Sequence, residues 1–203
     1  MKGVVMQAST IRTCGAAVFA GALTWAVCYL VAPPADGVNT RIEITGGLVF
    51  QLGLFAMLLA MRGTDATGSG RWGRAVLAIE AVLLALATVW SIPHVVSPNM
   101  TDRGVMVALD AAWPLSMAWL IPLGVTVARA RRWPSPARFA PLVASLWLVA
   151  DIAAMAVGDT AFTIVHITWL IGAYGWVGLA LIRDVADTAG KPLSTAAEPT
   201  TAT

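Results

Sequence analysis

Four ionisable side chains stand in otherwise apolar runs of this sequence: His94 in "VWSIPHVV", Asp110 in "VALDAAW", Asp151 in "LVADIAA" and His166 in "TIVHITW". Each has a tryptophan three or four residues away, namely Trp90, Trp113, Trp147 and Trp169 in the same order. Residues at those spacings share one face of a helix. A carboxyl group in an apolar cavity favours its neutral form, which is the form that can give up a proton to an apolar substrate. An indole face stabilises a cation that develops beside it. The combination suits protonation of an alkene or epoxide, followed by cyclisation or isomerisation. Asp110 and Asp151 are the candidate proton donors, with His94 and His166 as their acid–base partners.

The elements that must position these groups are membrane spans. The chain has 203 residues, of which 58% are hydrophobic and 12% charged, about half the charge of a typical soluble domain. Cutting at charges, prolines and glycines leaves six apolar runs: 13–32, 44–61, 75–96, 105–128, 139–157 and 161–182. Each is long enough to cross a hydrocarbon core of about 30 Å. Backbone groups in lipid must be satisfied within the segment, so the runs are expected to be helices. The expected fold is therefore an all-α polytopic bundle of six transmembrane helices over residues 1–183, with a disordered polar tail over 184–203. The first run is too long for the apolar part of a signal peptide and reads as a retained span. Cys14 and Cys28 lie about 21 Å apart along one helix, too far to bridge, and read as packing residues.

Orientation follows from the basic residues. With alternating spans, eleven of the thirteen Lys and Arg residues fall on one side, and only Arg41 and Arg103 on the other. This asymmetry predicts cytoplasmic termini in a cell inner (plasma) membrane. Trp72 and Trp133 beside the arginines read as interfacial belt residues.

That orientation puts His94, Asp110, Asp151 and His166 in one layer of the outer half, with Gln51 at a similar depth and Trp25 level with the tryptophans. Ionisable groups in spans face the bundle interior or a watery cavity, so the four are expected to converge on an outward chamber floored by indole. Pairing of Asp110 with His166, or of Asp151 with His94, is the arrangement anticipated there. Pro114 removes the hydrogen bond to the Asp110 carbonyl and Pro93 the one to Val89, which is expected to open both helices near the layer. Glu80 lies deeper and reads as structural. Glu43 and Asp159 read as acids at helix N-termini. Gly15, Gly21, Gly172, Gly175 and Gly178 read as close helix contacts.

In size, helical content and acid-over-aromatic composition, the chain resembles the small integral-membrane terpene cyclases. The resemblance implies a membrane-bound cyclase or isomerase acting on an isoprenoid-like substrate. That family is usually drawn with seven spans, against six here, and no catalytic residue is carried over from it. Six spans in this length are also the format of small substrate-binding subunits of vitamin importers, so a transporter is the alternative. A non-catalytic membrane protein, whose polar layer only fixes helix register, is the second alternative. Trp25, Gln51, Trp90, Trp113, Trp147 and Trp169 are the candidate substrate-binding residues.

With two histidines and no HExxH or CxxC, no metal site or cofactor is expected. A net charge of +2 without a basic stripe argues against nucleic acid. The expected partners are a lipophilic small molecule and the lipid bilayer, and a homo-oligomer is compatible with the pattern.

Overall fold

The computed structural model describes residues 6–34, 39–98, 100 and 103–189. Its six long helices are α1 (Ala8–Val31), α2 (Arg41–Gly63), α3 (Arg71–Val96), α4 (Val105–Ala130), α5 (Ala137–Met155) and α6 (Asp159–Thr188). All six are long and apolar enough to cross a bilayer, which is the architecture of a multi-pass membrane protein. They extend past the apolar runs because a helix costs little to continue through its charged flanks. Residues 184–189 accordingly remain helical. The rest of the tail, and Lys2 and Lys191, lie outside the described residues.

Consecutive helices pack side by side, and α6 returns to pack on α1, closing a ring. Lipid supplies no hydrophobic drive between helices, so contact depends on close backbone approach. Two glycines show this at the closure of the ring. A Cβ on Gly15 would lie 2.6 Å from the Gly178 carbonyl oxygen, and one on Gly178 would lie 2.7 Å from that of Gly15. Gly21 packs closely on α2, though less tightly, where a Cβ would meet the Phe50 backbone at 3.1 Å. Gly172 departs from the expectation: nothing lies within 4 Å of its position, because it faces outward.

Three of the helices are interrupted, α5 among them at Leu146, between Ser145 and Trp147. α4 breaks at Ala111, between Asp110 and Ala112, where Pro114 withholds the hydrogen bond that Asp110 would otherwise receive. α6 carries wider π-helical turns at Leu170–Tyr174 and Leu181–Val185. By contrast α3 runs unbroken through Pro93. Trp133 proves to be an anchor rather than a belt residue. It is 3% exposed and donates its indole N–H to the Thr64 hydroxyl at 2.8 Å. Trp72, 63% exposed, does face outward.

Candidate functional site

The end of the bundle opposite the arginine-rich connections gathers the aromatic residues. Trp25 of α1 is at the centre. Its ring centroid lies 5.1 Å from Phe50, 5.7 Å from both Trp113 and Trp147, and 5.0 Å from His166. Such tilted and edge-on pairs suit the ring quadrupoles. The indole N–H of Trp25 donates to Glu43 Oε1 at 2.9 Å, with both side chains buried.

Glu43 belongs to the segment Thr40–Arg41–Ile42–Glu43, which has the spacing of a capping box. Half of that motif forms: Thr40 Oγ1 accepts from the Glu43 backbone N–H at 3.2 Å. The Glu43 carboxyl turns instead to Trp25. A residue that reads as a helix-terminus acid is therefore also a wall of the site, and the signal for it was the capping spacing combined with an indole on the preceding helix.

A cleft of about 130 Å³ opens here. Trp25, Trp90, Trp113, Gln51, Glu43 and Asp110 contribute to its lining. Five of the ten residues singled out from the sequence thus meet in one place. Asp110 is exposed at the helix break, about 7.5 Å below the start of α4 at 1.5 Å per residue. Gln51 donates from Nε2 to Ser91 Oγ at 2.9 Å, and Ser91 passes its own hydrogen to the Ala87 carbonyl.

His94 stands behind this wall. Its ring stacks on Trp90 at 4.0 Å, and its Nδ1 lies 2.8 Å from the Trp90 carbonyl oxygen. It braces the indole that faces the cleft.

Asp151 and His166 form a separate buried unit on the other side of Trp25. Asp151 Oδ2 and His166 Nδ1 are 2.8 Å apart, with side-chain exposures of 7% and 4%. This corrects both anticipated pairings: the acid and the imidazole that meet lie on neighbouring helices α5 and α6, and share a depth. Where Nδ1 carries the proton it donates to Asp151 Oδ2, and Nε2 is left buried without a partner among the described residues. Trp25, Tyr29, Trp147 and Phe162 box the imidazole at 4.6 to 5.4 Å. The four ionisable residues consequently do not share one chamber; Asp110 lines the cleft and the other three lie behind its aromatic walls. Trp147 stands beside the buried pair, and Trp169 turns away to donate to the Val143 carbonyl at 3.1 Å.

Deeper in the bundle Glu80 is fully buried and accepts from the Ser116 hydroxyl at 2.7 Å. Among the described residues Glu80 Oε2, Tyr174 Oη, Asp151 Oδ1, His166 Nε2, Trp147 Nε1 and Gln51 Oε1 are buried without a hydrogen-bond partner. Such groups ordinarily find water or a ligand. Among the described residues no three His, Cys, Asp or Glu side chains come together as metal ligands would.

Comparison with protein-family models, curated proteins and solved structures finds no match for this chain.

Proposed function

We propose that this chain is a membrane-embedded enzyme that performs acid–base chemistry, cyclisation or isomerisation, on an apolar, isoprenoid-like substrate held in the cleft. The observation that carries the reading is the lining: among the described residues it holds two carboxyl groups, Asp110 and Glu43, beside three indoles, and no lysine or arginine. In this scheme one of the two carboxyl groups, exposed Asp110 or buried Glu43, gives the proton, and the other takes it from the neighbouring carbon. Trp25, Trp90 and Trp113 line the space where the cation forms between those two steps. Asp151 and His166 act as positioning residues by holding the far side of Trp25. The cleft is close in size to the roughly 150 Å³ engineered cavity that accepts benzene. It therefore takes one five-carbon unit, and the rest of a longer substrate extends through the opening. In this reading the cleft lies in the outer half of an inner (plasma) membrane with both termini cytoplasmic, a topology that the positive-inside asymmetry supports.

The same lining favours a second reading, a transporter or solute-binding subunit for a small organic cation, since carboxyl groups and indoles without a basic residue form a cation cage. Proteoliposomes separate the two. Given prenyl alkenes and epoxides, the enzyme yields rearranged products. Asp110→Asn and Glu43→Gln then lower turnover by the 10²–10⁴-fold typical of a lost general acid or base while the chain stays folded, on the order-of-magnitude scale of such groups. A transporter instead shows uptake of a radiolabelled alkylammonium ion without conversion. Neither turnover nor uptake would leave only the non-catalytic alternative.

A further inference from the structure

We propose that a second site, at the arginine-rich end of the bundle, holds one anionic phospholipid with its acyl chain along α4 and its phosphate on Arg129. A groove of about 590 Å³ runs there between α3 and α4. Ile121, Pro122 and Val125 form its apolar floor, Trp72 and Thr67 one side, and Arg129 its end. From Ile121 to Arg129 is eight residues, or about 12 Å along a helix. That length reaches from headgroup level well into a leaflet whose share of the hydrocarbon is about 15 Å.

The walls explain why the groove is open. Above it the indole N–H of Trp119 donates to the Val76 carbonyl at 3.1 Å and ties α4 to α3. Toward the end of the bundle no large side chain of α4 fills the space, and Pro122 and Thr126 lie where one would. Thr126 donates its hydroxyl hydrogen back to the Pro122 carbonyl at 2.7 Å, so it has no hydrogen to offer a headgroup. Recognition of the phosphate falls to the Arg129 guanidinium, exposed in the last turn of α4.

Charge selects the occupant. Arg71 and Arg74 flank Trp72, and Arg131 and Arg132 follow Arg129, against Asp65 on the α2–α3 connection. A basic pocket between spans draws an anionic headgroup, whereas a zwitterionic one would bring its own cation among these arginines. A free anion would leave the Ile121–Val125 floor uncovered. The exposed indole of Trp72 sits at the level where aromatic belts meet headgroups.

Native mass spectrometry of the delipidated full-length chain tests this, with phosphatidylglycerol, phosphatidylcholine of matched chains, and inorganic phosphate as ligands. Phosphatidylglycerol should bind in preference as a single first equivalent. Arg129→Ala should lower that preference about five-fold, the effect of one arginine at an anionic surface. Arg132→Ala, beyond the groove, should lower it less. Val125→Trp, which fills the floor, should reduce occupancy by both lipids in a chain that keeps its helical circular dichroism. Equal losses in Arg129→Ala and Arg132→Ala would overturn the proposal in favour of general surface charge. Full competition by inorganic phosphate, or unchanged occupancy in Val125→Trp, would overturn it as well.

Discussion

Replacing Trp25 by phenylalanine removes the indole N–H that holds Glu43 at the cleft while keeping a ring against Phe50 and Trp113. The size of the effect can be bounded from two sides. A hydrogen bond onto a charged group contributes about 1.5–3 kcal/mol in folded proteins generally. Interhelical hydrogen bonds in membranes average about 0.6 and reach about 1.7 kcal/mol. The Trp25–Glu43 contact is short, at 2.9 Å, and both partners are buried, at 5% and 7% exposure. That geometry puts it at the top of the membrane range, where the two scales overlap. Because Glu43 borders the cleft, water can reach it once the donor is gone, which keeps the loss from going higher.

The expected coupling is therefore about 1.5 kcal/mol, roughly a tenfold change in the folding equilibrium. A double-mutant cycle of Trp25→Phe, Glu43→Ala and the double variant isolates it from the packing losses of each single change. Reversible unfolding in mixed micelles, followed by circular dichroism, supplies the four free energies. Coupling inside the additivity scatter of about 0.5 kcal/mol would refute the reasoning: Glu43 would not be held by Trp25, and the cleft would lose its second carboxyl group.

Three further outcomes follow from the same geometry. Asp151→Asn should cost no more than about 1.7 kcal/mol, the ceiling for such bonds in a membrane, yet change the ¹⁵N chemical shifts of His166 as Nδ1–H loses its carboxylate; unchanged shifts would mean the pair is not formed. Gly178→Val should destabilise the chain by the roughly 1–3 kcal/mol of an overpacked contact while Gly172→Val is tolerated, and thermal unfolding of the two variants side by side checks this. Ser116→Ala should cost about 1–3 kcal/mol by stripping Glu80 of its donor, and that cost should vanish in a Glu80→Leu background if the Ser116 hydroxyl matters only through Glu80.

Much of the fold is legible in the sequence because lipid imposes length: a run of eighteen or more apolar residues has few alternatives to a spanning helix. The break at Asp110 and Ala111 follows from Pro114 for an equally local reason. Partner choice across helices is not local. Depth along each span can be counted, but the rotation of one helix against another depends on close contacts such as Gly15 with Gly178. That is why the meeting of Asp151 with His166, rather than with His94, could not be read from spacing. Glu43 was obscured because its sequence context already explains it as a first-turn acid after Thr40. Trp133 read as a belt residue because proximity to arginines does not reveal that its N–H is committed to Thr64.

Photolabelling in the native membrane tests the cleft most directly. A diazirine-bearing prenyl amine combines the apolar chain of the proposed substrate with a cation that mimics its charged intermediate. Peptide mass spectrometry should place the label on the segments that carry Trp90 and Trp113, and Asp110→Asn with Glu43→Gln should abolish it in a folded chain. Label spread over the lipid-facing surface of the bundle, or confined to the groove near Trp72, and indifferent to both substitutions, would contradict the account.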